Sequence, residues 1–169
     1  FGLAGFDVAP HPLLLALPLS LSAQEAGSVR RLDESNGFRG IRFGTPLTDA
    51  LHLHLVQDNG DEKIYERTDE DLRLGQFSAY RIHYKFFQGQ FAAVTIIVKG
   101  ADHAQQVLPT FQRVYGPGKM EGFSCKWQGQ QVGLSYASWS ADNAILAMTS
   151  LPLTVKMKQA KEAAAKRTG

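Results

Sequence analysis

The sequence predicts an α+β fold, in which an antiparallel β-sheet has helices packed on one face. Residues 79–98 and 123–137 are each predicted to form a β-hairpin; in the first, residues 80–85 alternate apolar with polar side chains, and residues 92–98 are a near-continuous apolar run that indicates a central strand. Between them, residues 101–115 place apolar side chains at the helical period and stop at a Gly-Pro pair. We therefore expect residues 37–154 to form a single α+β domain around one core.

Each strand of this domain is predicted by alternation of apolar and polar residues, or by a short apolar run between turns. The predicted strands cover residues 38–43, 51–55, 62–67, 80–85, 92–98, 123–127, 132–137 and 144–150. Thr45 followed by Pro46 is a typical start for a short helix, because threonine caps a helix and proline fits its first turn. The Asp-Asn-Gly-Asp sequence of residues 58–61 predicts a tight turn between two of the strands.

A shared turn motif raises the question of an internal repeat. Phe87-Gln88-Gly89-Gln90 in the first hairpin matches Trp127-Gln128-Gly129-Gln130 in the second. A helix is predicted before the hairpin in each half of the chain. A duplicated helix-strand-strand unit is therefore an alternative description of the fold.

The N-terminal part differs in composition from the domain. Residues 12–23 are an uncharged apolar run, and residues 24–36 are polar. The run is shorter than the roughly 20 residues of a membrane-spanning helix but fits the apolar core of a signal peptide. We expect residues 1–23 to be a signal-peptide-like segment and residues 24–36 to be a linker, which predicts a secreted or periplasmic protein. A buried N-terminal helix or strand is the alternative.

Residues 155–169, at the C-terminus, are rich in alanine and lysine, a composition that favours a basic helical tail. The whole chain has a formal net charge of +2, and its excess of basic residues lies in this tail. In the domain, basic and acidic residues are mixed, so nucleic acid is not an expected partner. The tail is expected to make at most a weak contact with an acidic surface.

Composition and motifs exclude several kinds of site. Cys125 is the only cysteine, so an intrachain disulfide and a zinc site made of cysteines are both excluded. No apolar run is long enough for an integral membrane span. The sequence also lacks the motifs of phosphate-binding loops, serine hydrolases and zinc proteases. We predict neither catalytic residues nor a cofactor.

His52 and His54 are the first candidates for metal ligands. Their side chains would point the same way from a strand, and His83 could supply a third imidazole. The alternative is that both lie on the polar face of a half-buried strand whose other face carries leucines. We favour that alternative and predict no metal site.

Aromatic residues beside the two Gln-Gly turns are the candidate binding residues. They are Phe86, Phe87, Phe91 and Trp127. Side chains near turns tend to be exposed, and exposed aromatic side chains are the usual anchors of protein recognition. The alternative is that these four residues close the end of the core.

Four segments of the domain stand out together: residues 38–47, 58–67, 84–87 and the helix stop at residues 115–117. They resemble a family of small exported bacterial proteins without an assigned activity, and the resemblance spans most of the domain. The helix and hairpin order with its Gly-Pro stop is also similar to the SmpA/BamE outer-membrane assembly lipoproteins and to the β-lactamase-inhibitor protein. These resemblances imply protein binding in the cell envelope or outside the cell. The chain lacks the lipidated cysteine of the former and the disulfides of the latter.

These observations together predict an exported, non-enzymatic module that binds a protein partner or takes part in envelope assembly. The competing hypothesis is a small metal-dependent or hydrolytic enzyme built around the histidines.

Overall fold

The computed structural model describes residues 27–169, and the predicted signal-peptide-like segment, residues 1–23, lies outside the described residues. The strands are β1 Gly37–Phe38, β2 Ile41–Arg42, β3 Leu53–Asn59, β4 Glu62–Arg67, β5 Arg73–Leu74, β6 Phe77–Ser78, β7 Arg81–Phe87, β8 Gln90–Lys99, β9 Lys119–Glu121, β10 Ser124–Gln128, β11 Val132–Ser140 and β12 Asn143–Ser150. The helices are α1 Arg30–Ser35, α2 Ala101–Tyr115 and α3 Leu151–Arg167, and Asp49–Leu51 forms a short 3-10 turn.

Eight strands form one sheet in the order β3-β4-β7-β8-β12-β11-β10-β9, and every neighbouring pair is antiparallel. This sheet confirms the predicted α+β fold with an antiparallel sheet. The apolar run of β8 lies in the middle of the sheet, as its sequence predicts. The hairpin from β3 to β4 turns at Gly60, whose φ of 82° suits the tight turn expected there.

The main core lies between one face of the sheet and α2. Val94 and Ile96 of β8 belong to the same buried cluster as Val107 and Phe111 of α2. These residues recur every second position on the strand and every fourth position on the helix, as the two geometries require. Pro109 lies inside α2, which nevertheless runs unbroken from Ala101 to Tyr115.

The last helix, α3, packs on the opposite face of the sheet. Leu153 and Met157 form a second, smaller buried cluster with Phe87 and Ala92. Phe87 follows the core residue Phe86 on β7, and successive strand residues point to opposite faces. The helices therefore lie on both faces, whereas the sequence predicts them on one. The predicted tail, residues 155–169, continues a helix that begins at Leu151 and is partly buried.

The structure also differs from the linker prediction over residues 27–36. Arg30–Ser35 form α1, and Leu32 in this helix is completely buried in the main core. The Asp33 carboxylate accepts hydrogen bonds from the backbone amides of the turn that follows β10. The segment is mostly polar in sequence, but two of its residues, Leu32 and Asp33, attach it to the domain.

The two Gln-Gly turns do not have the same backbone. Gln88 and Gly89 have φ values of 47° and 80°, so both adopt the left-handed conformation. Gly129 is not left-handed; a Cβ atom placed on it would lie 2.4 Å from the Asp33 carboxylate. The shared tetrapeptide therefore forms a tight turn in the first hairpin, whereas in the second it lies close to α1. This difference does not support a duplicated unit.

The two edges of the sheet are unequal. β9 has three residues, and β3 has seven, of which all but Leu53 are exposed. The ladder between β3 and β4 shifts by one residue at Val56, which is a β-bulge. Leu55 and Val56 are exposed apolar residues at the centre of this edge.

Candidate functional site

The predicted binding residues Phe86, Phe87, Phe91 and Trp127 are core residues. None of the four side chains is more than 4% exposed. The prediction that they form an exposed contact surface is therefore wrong for the folded chain, and the alternative that they close one end of the core is correct.

Neighbouring segments cover both turns that carry these residues. The loop after β2 hydrogen-bonds to the β7–β8 turn, because Leu47 donates its backbone amide to Gly89 and Phe91 donates to Thr45. On the other face, α3 packs against Phe87. In the second hairpin, Trp127 donates its indole N–H to the carbonyl oxygen of Gly116 at 2.8 Å.

The candidate metal ligands do not converge. His52 lies outside β3 in a left-handed conformation with a φ of 54°, so it does not share a strand face with His54. The Nδ1 atom of His54 lies 3.5 Å from the Thr68 hydroxyl. His83 lies on β7 with its Nε2 atom 3.1 Å from Glu66. Within residues 27–169, no group of three or more histidine, cysteine, aspartate or glutamate side chains is arranged to hold a metal ion.

The acidic loop that follows β4 contains an inward-facing carboxylate. Glu70 accepts a hydrogen bond from the hydroxyl of Tyr84 and lies 3.4 Å from the guanidinium of Arg39. Burial, and then the Glu70 carboxylate, raise the pKa of the Tyr84 hydroxyl well above its ordinary value. A phenol held in its protonated form anchors the loop and is a poor general base. Burial also raises the pKa of the Cys125 thiol, which disfavours a thiolate nucleophile.

Exposed aromatic side chains lie at the other end of the sheet. Tyr80, Phe123 and Trp139 are 47%, 83% and 64% exposed, and they are the exposed aromatic residues within the described part of the chain. Tyr80 precedes β7, Phe123 precedes β10, and Trp139 is near the end of β11. We call this end of the sheet, with these three residues, the aromatic rim. At about 4.8 Å between strands, the four strand spacings from Tyr80 to Phe123 give the rim a length of roughly 19 Å.

Phe123 is exposed because it occupies the tip of a tight turn. Glu121 pairs with Ser124, which leaves Gly122 and Phe123 as the two turn residues. Gly122 has a φ of 60°, a conformation that glycine adopts without steric cost. The turn therefore holds the Phe123 ring away from the core.

Trp139 is exposed because the alternating buried residues of β11 end before it, and β11 also contains an extra residue here. Ala137 pairs with Ile145 and Ser140 pairs with Asn143, so two residues of β11 lie opposite one residue of β12. Such a bulge changes the direction of the side chains around it. The alternation that buries Leu134 and Tyr136 would next assign Ser138, and not Trp139, to the buried face.

A hydrogen bond joins the two turns of the aromatic rim. The Ser138 amide donates to the carbonyl oxygen of Phe123 at 3.2 Å. A cleft of about 310 Å³ lies there, and it is lined by Phe123, Ser138, Trp139, Ser140 and Ala141. The two most exposed aromatic rings of the described chain thus form the walls of one cleft.

The Tyr80 end of the aromatic rim carries cations. The Nζ atom of Lys99 lies 3.9 Å from the centre of the Tyr80 ring, and the Arg81 guanidinium lies 5.4 Å from it. Arg81 also lies 3.4 Å from Glu66. Both cations lie within the distance at which a charge is attracted to an aromatic face, so the tyrosine ring is held in place while it stays accessible.

Phe123 and Trp139 were not among the predicted binding residues. The signal that could have found Phe123 is a glycine directly before it between two short strands, which predicts an aromatic residue inside a turn. Trp139 lies between serines, directly before the turn at Ala141 and Asp142. Because the residues next to Trp139 in the sequence are polar, an exposed position could have been predicted for it.

None of the helices within residues 27–169 is both long enough and apolar enough to cross a membrane. Comparisons of the chain with protein families, with characterised proteins and with solved structures found no match. The resemblance to small exported proteins stays a prediction.

Proposed function

We propose that this chain is an exported, non-enzymatic module that binds a protein partner through the aromatic rim. The observation that carries this proposal is that all exposed aromatic residues of the described chain lie at one end of the sheet. Tryptophan, tyrosine and arginine are the residues that contribute most to protein binding when an interface is truncated. The aromatic rim contains the first two and has Arg81 beside Tyr80.

The rim has the form of a preorganised contact surface. Its turns are short, they are hydrogen-bonded to each other, and they extend directly from strands of the central sheet. A rigid contact surface loses little conformational entropy when a partner binds. Exposed apolar clusters with a polar border are also uncommon on proteins that have no partner. No second function is proposed, because the histidines of the enzyme alternative do not converge in the described residues.

Site-specific photo-crosslinking in the native cells tests the rim as a protein contact. A photoreactive amino acid at position 123 or 139 should give one discrete adduct of the same mass. The matched control is position 155, because Val155 is also an exposed apolar residue, at 55%, but lies on α3. The proposal fails if positions 123 and 139 give no discrete protein adduct, if position 155 gives the same adduct, or if the rim crosslinks only to lipid.

Truncation of the rim should leave the fold intact. We expect Phe123→Ala to change the free energy of unfolding by less than about 0.5 kcal/mol, because an exposed side chain away from buried features contributes little to stability. The same substitution should reduce the yield of the adduct from position 139. A large loss of stability, measured by urea unfolding, would assign Phe123 to the core instead.

Export is the second part of the proposal, and the apolar run of residues 12–23 supports it. Cleavage after Ser22 or Ala23 would remove none of residues 27–169. The buried Leu32 and the hydrogen-bonded Asp33 would therefore remain in the mature protein. Mass spectrometry of protein produced from the full-length gene should detect a mature form that starts at Ala23 or Gln24. Recovery of the folded protein with residues 1–22 still attached would contradict this part of the proposal.

A further inference from the structure

We propose that the cleft between Phe123 and Trp139 receives one uncharged apolar side chain of the protein partner. This inference rests on the proposed function and specifies the chemistry that the partner presents. At about 310 Å³ the cleft is at the lower limit of ligand pockets, which start at about 300 Å³. Its volume suits a single side chain better than an extended ligand.

The lining of the cleft has no charged side chain, and its polar side chains already have partners. The Ser138 hydroxyl lies 2.8 Å from the carbonyl oxygen of Ser140 and 2.9 Å from that of Asn143, so its only proton is used within the protein. The hydroxyl oxygen of Ser140 accepts a hydrogen bond from the Asn143 side chain at 2.9 Å. The Ser138 hydroxyl therefore has no proton left to donate to a ligand, whereas the Ser140 hydroxyl keeps its own proton.

This distribution of charge and hydrogen bonds selects the ligand. A charged side chain would lose its hydration in the cleft and would meet no opposite charge in the lining. A sugar presents several hydroxyl groups, and the two serine side chains of the lining cannot pair with all of them. An aliphatic or aromatic side chain needs no such pairing, and it would bury apolar surface together with the Phe123 and Trp139 rings. The uncharged lining is therefore complementary to an uncharged apolar group.

The two tryptophans of the chain give an experiment with an internal reference. Trp139 is 64% exposed beside the cleft, whereas Trp127 is 3% exposed and donates its indole N–H to Gly116. In ¹⁵N-labelled protein, titration with N-acetyl-leucine amide or N-acetyl-phenylalanine amide should shift the Trp139 indole signal saturably. The Trp127 signal should not move.

Three comparisons make this titration specific. N-acetyl-aspartate amide, N-acetyl-lysine amide and maltose should bind at least about tenfold more weakly than the apolar amides, the discrimination that one well-placed apolar group can give. Phe123→Ala should weaken binding of the apolar amides several-fold, because it removes one wall of the cleft. Tyr80→Ala, on the same rim but outside the cleft lining, should leave their affinity unchanged.

The inference is overturned if no apolar amide shifts Trp139 saturably, or if the charged amides or maltose bind as tightly. It is also overturned if Trp139 shifts with protein concentration alone, because a second copy of the chain would then fill the cleft. Crosslinking of a protein at position 123 or 139 without binding of the amides would retain the proposed function and reject this inference. Binding of the amides without any protein adduct would reject the proposed function, and this inference would then fail as well, although the cleft would still prefer apolar groups.

Discussion

Replacement of Trp127 by alanine is expected to lower the free energy of unfolding by about 3–5 kcal/mol, as for other buried tryptophans. The ring is 3% exposed and lies in the main core, against the backbone of Gly118. Its indole N–H donates to Gly116, so the truncation leaves both a cavity and a carbonyl oxygen without its partner. Urea unfolding followed by circular dichroism measures the loss.

The control for this experiment is Trp139→Ala, which removes the same side chain from the aromatic rim. Because Trp139 is 64% exposed, its truncation should change the free energy of unfolding by less than about 0.5 kcal/mol. Trp127→Phe should lie between the two, since it keeps most of the apolar volume and loses the hydrogen bond. Equal effects of the two alanine variants would contradict the assignment of Trp127 to the core and Trp139 to the surface.

Asp33→Ala is expected to lower the free energy of unfolding by about 2 kcal/mol, because hydrogen bonds to a charged group contribute more than neutral ones. The carboxylate accepts from the backbone amides of Gln130 at 2.7 Å, Gln131 at 2.8 Å and Val132 at 3.1 Å. It therefore ties α1 to the start of β11. Loss of this connection should also speed amide hydrogen exchange at Gln130 and Gln131.

The contribution of Asp33 should depend on pH in a predictable direction. The hydrogen bond from the Gln130 amide is the main cause that lowers the pKa of the Asp33 carboxyl below its ordinary value of 3.8, while burial opposes it. A lowered folded-state pKa means that the stabilisation is present above the unfolded-state value and is lost as the pH falls through the folded-state value. The stability difference between the natural chain and Asp33→Asn should therefore shrink below about pH 4.

Asp71 provides a matched control for this pH effect. Its carboxylate also accepts a backbone hydrogen bond, from Arg73, and this bond lowers its pKa, but it does so within an exposed loop. We expect Asp71→Asn to have a smaller effect than Asp33→Asn at neutral pH, because it connects residues that are already neighbours in the chain. A stability difference for Asp33→Asn that stays constant from neutral to acidic pH would contradict the role assigned to the Asp33 carboxylate.

The sequence was sufficient to predict the elements that form by local rules. Strand alternation predicted β7, a near-continuous apolar run predicted β8, the helical period predicted α2, and Gly60 predicted the turn between β3 and β4. The packing of the helices α1 and α3 against the rest of the fold was harder to predict from the sequence. One apolar residue, Leu32, attaches α1 to the core, and in α3 only Leu153 and Met157 are buried. Such short apolar signals do not stand out in polar sequence, although they decide where both helices pack.

The candidate site could not be predicted from the same local rules. Turns are usually exposed, and this tendency led to the choice of Phe87 and Trp127. Their burial results from long-range contacts with α3 and with Gly116, which no local pattern encodes. Conversely, Trp139 is exposed three residues after Tyr136, the last buried residue of β11, and beside the bulge near the end of that strand. The distinction between an exposed and a buried aromatic residue was made by tertiary structure.

The bulge at Val56 disfavours the pairing of β3 with a strand of another molecule. Without it, β3 would be a straight edge with two apolar residues at its centre, which is the shape that recruits further strands into fibrils. The extra residue reverses the alternation of side chains between the two faces of the sheet. A regular strand from another molecule that pairs in register with residues 57–59 would therefore be out of register with residues 53–55. Within the described residues, the longer edge strand of the sheet is therefore a poor template over its full length.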